Sequence, residues 1–169
     1  MKADPQMADN IGLSRDIAVP FGLAGMIKAV RVSSITMGRI ELMRHEATAA
    51  NPRLGGHTIL KHVGKTEAEL RERLRLEPKR KVVSSFYSLQ AAEFAISNVM
   101  RAEASRITAW ARSTSNRTPL VLNRGVSGSI GYGIVRKTDQ LVQMNEVVVV
   151  LKYERYNGMP YYILTAYIE

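Results

Sequence analysis

Tyr161-Tyr162-Ile163-Leu164-Thr165-Ala166-Tyr167-Ile168 is the last patterned stretch of the 169-residue chain. Its aromatic and β-branched side chains predict a strand. Side chains alternate faces along a strand, so Tyr161, Ile163, Thr165 and Tyr167 share one face and Tyr162, Leu164, Ala166 and Ile168 the other. The second face is the more apolar and is expected to pack on the core. Thr165 and Tyr167 then look outward, roughly 7 Å apart along the strand, with two hydroxyls offered to whatever lies above. A histidine and an arginine brought over that face complete an anion-handling site.

Both are present upstream, in and after Gly55-Gly56-His57-Thr58-Ile59-Leu60-Lys61-His62-Val63-Gly64-Lys65-Thr66. Thr66-Glu67-Ala68-Glu69 fits a capping box, which starts a helix at Glu67 after a turn at Gly64-Lys65. Leu70 and Leu74 fall on one face of that helix, with Arg73 on the flank. On one unbroken helix His62 and Arg73 would lie about 16 Å apart along the axis, too far to share a phosphate. A break at Gly64 lets the chain fold back and bring them together.

The composition favours a polyanionic partner. There are 24 Lys and Arg against 15 Asp and Glu, a net charge of +9, and residues 51–169 supply +8 of it. A phosphate backbone is expected to bind there. The chain has no cysteine, so neither disulfides nor thiolate chemistry contribute. Its start, Met1-Lys2-Ala3-Asp4-Pro5, lacks the charged-then-apolar run of a signal peptide. The apolar patch from Ile17 to Val30 is interrupted by Pro20 and Lys28 and is too short to span a membrane.

Three zones follow along the chain. Residues 1–50 are weakly patterned, with a helix expected from about Gly25 to Glu46 and a linker at Ala47–Pro52. From Leu54 to Arg112 the pattern is helical apart from Val82–Phe86, and the longest helix is expected from Leu89 to about Arg112, with Ala92, Ala95, Ile96, Val99, Ile107 and Trp110 turned to the core. From Pro119 strands are expected at Pro119–Asn123, Ile130–Arg136, Val142–Tyr153 and Pro160–Ile168, separated by turns at Gly125–Gly128 and Asn157-Gly158. Helices first and antiparallel strands later argue for an α+β fold.

Several chemistries are excluded. Gly64-Lys65-Thr66 is not the end of a phosphate-binding loop, because the glycine required five positions before Gly64 is Ile59. His45, His57 and His62 have no metal-binding spacing, and His57 and His62 would point apart on a helix, so no metal or other cofactor is expected. Converging carboxylates for a two-metal nuclease and a nucleophile elbow for acyl transfer are both missing from the pattern. Metal-free phosphoryl transfer remains. It needs a proton shuttle, cations and hydrogen-bond donors around phosphorus, and RNA supplies its own nucleophile in the ribose 2′-hydroxyl.

The run Lys61-His62-Val63-Gly64-Lys65-Thr66 followed by Arg73-Leu74, together with Tyr162-Ile163-Leu164-Thr165-Ala166-Tyr167, resembles the bacterial ribonuclease A-like toxin domains found at the C-termini of contact-dependent growth inhibition proteins and other polymorphic toxins. Ser84-Ser85-Phe86, Ala92-Glu93, Trp110 and Val148-Val149-Val150-Leu151-Lys152 extend the likeness over roughly residues 54–168. The resemblance implies an α+β ribonuclease A-like fold without disulfides over 54–169, residues 1–53 being a helical or linker region outside it. It implies a catalytic set of His62, Arg73, Thr165 and Tyr167, with Lys61 and Lys65 as substrate-binding side chains and His57 ranked below His62. The expected function is a metal-independent endoribonuclease toxin of interbacterial competition that leaves 2′,3′-cyclic phosphate ends. Its expected partners are RNA, an acidic cognate immunity protein and a delivery protein or parent toxin, and it is expected to be delivered by the producing bacterium and to act in the target-cell cytoplasm. The alternative is a non-catalytic basic RNA-binding module on the same scaffold, and a third class, an interaction protein that holds a partner through residues 17–46, is compatible with either.

Overall fold

Helix α3 (Leu89–Ala102) organises the core. Ser88 caps it by accepting from the Ala91 N–H. Its three-to-four spacing of Ala92, Ala95, Ile96, Val99 and Met100 then buries one face completely. Each fully buried side chain of isoleucine size contributes about 1.5–3 kcal/mol, so this face outweighs any single cap.

The structure is a computed structural model that describes residues 38–115 and 118–169. A 3-10 turn at Leu42–Arg44 precedes α1 (Thr58–His62), α2 (Glu67–Leu76), β1 (Val82–Phe86) and α3. Next come α4 (Ala104–Arg112), β2 (Leu120–Gly125), β3 (Gly131–Val135), β4 (Gln140–Met144), β5 (Glu146–Lys152) and β6 (Tyr162–Ile168). The strands form two antiparallel sheets, ordered β1-β3-β4 and β2-β5-β6. The fold is therefore α+β, as its sequence pattern implies. Among the described residues no helix is long and apolar enough to cross a membrane.

Several expected elements are divided or replaced. The helix expected over Leu89–Arg112 breaks at Glu103, whose carboxylate turns to Arg106 and Arg124. The break re-aims α4 so that Ile107 and Trp110 reach the core, where the indole meets the Tyr153 and Tyr161 rings edge-on at 5.4 and 5.5 Å. The strand expected over Val142–Tyr153 is two strands in different sheets, parted at Asn145. The Asn145 carbonyl accepts from Val126 rather than continuing a ladder.

The helix expected over Gly25–Glu46 lies outside the described residues as far as residue 37. Residues 38–46 are not α-helical. Ile40 and Leu42, two apart, are both buried in the main core, and their N–H groups donate to the Ser97 hydroxyl and the Glu93 carboxylate on α3. This segment is laid across α3 rather than coiled beside it. Ala47–Pro52, expected to be a linker, is instead a reversal closed by a Thr48–Asn51 bridge, which returns the chain so that Gly56 pairs with Glu46.

The last strand departs most from simple alternation. Between Val150 and Leu151 of β5 the pairing slips, so that Val150 faces Thr165 but Leu151 faces Ile163, with Leu164 bulged out. A bulge inverts the face of everything on one side of it. Ala166 and Ile168 are buried in the core as expected, yet Ile163 and Tyr161 join them there, while Leu164 packs half-buried against a separate cluster of Tyr156, Met159 and Tyr162.

Candidate active site

Five-residue α1 is too short to be stable on its own and is fastened from three directions. The Glu46 carboxylate accepts from Ile59 N–H at 3.0 Å and Leu60 N–H at 3.3 Å, occupying the free donors of its first turn. At its other end, Val63 bridges to Phe86, Gly64 N–H donates to the Phe86 carbonyl and Lys65 N–H to the Ser85 hydroxyl, which ties the turn to β1. Gly64 has φ +64°, a conformation glycine adopts without strain.

Helix α2 begins at the expected capping box, with Thr66 accepting from Glu69 N–H and the Glu69 carboxylate accepting from Thr66 N–H. Leu70 and Leu74 then bury against Val83 and Ile134. That packing sets the helix rotation and turns Arg73 back toward α1. Its guanidinium donates to the Lys61 carbonyl at 3.1 Å and pairs with Glu77 at 3.0 Å. The break at Gly64 thus folds the chain back on itself.

On the side away from β5, the edge of β6 is matched group by group. Ile163 N–H donates to His45 Nδ1 at 3.1 Å, the Leu164 carbonyl accepts from His57 N–H at 3.0 Å, and Ala166 N–H donates to the Thr58 hydroxyl at 2.9 Å. Gly56 passes so close that a Cβ there would lie 2.3 Å from the Ile163 carbonyl. These contacts lay α1 along β6 and bring the His62 ring to 5.7 Å from the Tyr167 ring, centroid to centroid, at 35°.

His62 is 7 % exposed and its Nδ1 has no hydrogen-bond partner. Burial, first, and then the positive charges of Arg73, His57 and Arg80 hold its pKa down at about 3, against the pull of a backbone hydrogen bond with Ser84. The imidazole is therefore neutral at pH 7, with a lone pair to accept a proton. Burial likewise raises the Tyr167 phenol above its usual value, so it remains a hydroxyl donor. The Thr165 hydroxyl is buried and unpaired.

The structure thus sets His62 beside Tyr167 on one side and within the field of Arg73 on the other, with Thr165 two residues before Tyr167 on β6. Thr165 and Tyr167 are half-buried rather than freely exposed, because α1 covers their face. Lys61, Lys65 and Arg73 line a depression of about 230 Å³ between α1 and α2. Lys61 is exposed, and Lys65 is held through its carbonyl by the Tyr132 hydroxyl. His57 and His62 do not point apart. Their ring centroids are 6.5 Å from each other, because His57 is the residue before the helix, with non-helical backbone angles, and not part of it.

Arg80 escaped the sequence reading. It shares the Glu77 carboxylate with Arg73, and its charge is felt by His57, His62 and Tyr167. The only trace in the sequence is the basic run Lys79-Arg80-Lys81 after the α2 terminus, indistinguishable there from a solvated surface.

An α+β scaffold with no cysteine that sets a buried histidine among arginines against a strand bearing threonine and tyrosine defines a basic, ribonuclease-like domain. Residues 56–167 match the family model described as the bacterial CdiA-CT RNAse A domain, and the chain belongs to that family. Among solved structures it is similar to a CdiA-CT/CdiI complex from Y. kristensenii 33638, with 26 % identity and a TM-score of 0.59, covering 68 % of this chain and 99 % of that one. Comparison with curated proteins finds no match.

Proposed function

We propose that the chain is a metal-independent endoribonuclease toxin in which His62 takes the proton from the 2′-hydroxyl of RNA. The observation that carries this reading is the buried, neutral, unpaired His62 Nδ1 beside Tyr167 and two arginines. The 2′-oxygen bonds to phosphorus, its proton goes to His62, and the P–O5′ bond breaks to leave a 2′,3′-cyclic phosphate. The departing 5′-oxygen takes a proton from Tyr167, and solvent restores both groups. Arg73 offsets the charge that builds on the phosphoryl oxygens, and the Thr165 hydroxyl donates to one of them. Lys61 and Lys65 hold flanking phosphates.

An imidazole with a pKa of about 3 is by itself a weak base. Burial is the larger cause of that low value, and an arriving phosphate acts on the smaller one: its negative charge offsets Arg73 and Arg80 and so raises the proton affinity of His62. A neutralising partner is expected by the same electrostatics: an acidic immunity protein whose carboxylates take the place of phosphates and which associates quickly by steering. In this reading the domain is delivered by a parent toxin and acts in the target-cell cytoplasm. Incubating total RNA with the protein in EDTA and mapping the ends tests it. Cyclic phosphate ends, with no cutting of DNA or of RNA methylated at the 2′-oxygen, are the expected result. Dependence on magnesium or sustained cutting of DNA overturns it, and binding without turnover favours the RNA-binding alternative.

A further inference from the structure

The two halves of the site sit on different elements, and one dipeptide touches both. His45 accepts the Ile163 N–H on β6, at the register slip that decides which way Thr165 and Tyr167 face. Glu46, its neighbour, accepts the first N–H groups of α1, which carries Lys61 and His62. We propose that His45 and Glu46 form a positioning bracket that fixes His62 and Tyr167 relative to each other. The proposal rests on the ribonuclease reading for its kinetic consequence. Both residues lie ahead of the family match, which begins at residue 56.

The bracket is itself held firmly. Its backbone pairs with Gly56 through Gly56 N–H to the His45 carbonyl at 2.6 Å and Ala47 N–H to the Gly56 carbonyl at 2.8 Å. From the other side, the loop before β6 closes over it: the Tyr156 hydroxyl donates to the Glu46 carbonyl at 2.5 Å and the Asn157 amide to the Arg44 carbonyl at 2.8 Å. Asn157 and Gly158 have φ of +47° and +73°, the signature of a tight turn that only such residues enter easily. His45 is 3 % exposed, and burial followed by the Arg44 charge lowers its pKa to about 4, so its Nδ1 remains an acceptor at neutral pH. A misplacement of about 1 Å between reacting groups can cost on the order of a hundredfold in rate, so a bracket of this kind acts on turnover without touching substrate.

The test uses the full chain and a fluorophore-labelled RNA, with amide hydrogen exchange measured in parallel. His45→Leu removes the acceptor and is expected to lower kcat by roughly ten- to a hundredfold with KM nearly unchanged. His45→Asn places an amide oxygen near the position of Nδ1 and should retain kcat within about threefold, a rescue that lost packing alone does not give. Glu46→Ala should act like His45→Leu from the other side, loosening the Ile59 and Leu60 amides while β1 and α3 stay protected. Equal defects in His45→Leu and His45→Asn, or unchanged kcat in both His45→Leu and Glu46→Ala, overturn the proposal. If His45→Leu does not fold, the Asn variant and Glu46→Ala decide it. If the wild-type chain cuts no RNA, the ribonuclease reading falls and the exchange arm judges the bracket alone: selective loss of protection at Ile163 in His45→Leu supports it, and uniform loss or none refutes it.

Discussion

The segment from Gly56 to Leu76 and the strand from Tyr162 to Ile168 each carry half of the candidate site, and they are built in opposite ways. The first is governed by near neighbours: a glycine with positive φ, a capping box closed over three residues, and leucines four apart. The second takes its geometry from residues far away in sequence, since its edge is matched by His45, His57 and Thr58, more than a hundred positions earlier. Locally determined parts announce themselves in sequence. A strand whose phase is set by a bulge and by a distant edge does not.

The largest effect is expected at the point where the two halves meet. His62→Ala removes the proposed proton acceptor and should lower kcat/KM by roughly a thousandfold while the chain stays folded, since general base catalysis is worth about 10²–10⁴. His57→Ala, whose ring contact is with His62, should cost far less. Gel or fluorescence assays of RNA cutting at matched circular dichroism check this, and equal losses in the two variants would remove His62 from its role.

Two buried histidines make the junction sensitive to acid. Well above pH 6.5 His45 and His62 are neutral in folded and unfolded chains alike and add no pH dependence. Below it the unfolded chain takes up protons that the folded one refuses until pH approaches about 4 and 3, respectively, so stability falls as pH falls. Between pH 7 and pH 5 the loss should be about 2 kcal/mol per histidine, read from denaturant midpoints. His45→Asn should remove about half of it. A flat profile over that range would mean that neither ring is held neutral by the fold.

How much could be read in advance follows the same division. The segments that carry the candidate residues His62, Arg73, Thr165 and Tyr167 are short and legible, and the break at Gly64 follows from one glycine ahead of a capping threonine. Ala166 and Ile168 face the core, as strand alternation predicts. Ile163 and Leu164 face opposite to that alternation, because the slip opposite Val150 and Leu151 is a property of pairing and not of either strand alone. The division at Glu103 was equally hidden: helix periodicity runs on through it, and only the ion pairs with Arg106 and Arg124 mark where the chain turns. Ile40 and Leu42 carried a period-two signal too short to stand against the helical expectation.

On β6, Tyr167→Phe and Thr165→Ala each delete one hydroxyl from the covered face. Tyr167→Phe removes the proposed proton donor and should slow turnover by roughly a hundredfold or more, whereas Thr165→Ala removes one hydrogen bond to a charged phosphoryl oxygen, worth about 1.5–3 kcal/mol, and should slow it by roughly ten- to a hundredfold, with RNA binding changed less than kcat in both. Arg73→Lys should fall between Thr165→Ala and His62→Ala, because an ammonium cannot reproduce the planar two-pronged contact with phosphate oxygens. Single-turnover kinetics separate the two parameters, and a pure KM effect in the β6 variants would make Thr165 and Tyr167 binding residues only.

The smallest expected effect sharpens the contrast most. Thr66 accepts from Glu69 N–H at 3.2 Å, and nothing in that contact reaches beyond α2. Thr66→Ala should cost about 1 kcal/mol of stability, the usual worth of an N-cap. Because Leu70 and Leu74 still dock α2 on Val83 and Ile134, Arg73 keeps its bond to the Lys61 carbonyl and kcat should be unchanged below the unfolding transition. A local device then affects stability without affecting turnover, whereas a change at the β6 edge affects turnover directly. If Thr66→Ala lowers kcat as much as Tyr167→Phe does, the position of Arg73 depends on its helix start and not on the core beneath it, and the two halves of the site are less different than their construction indicates.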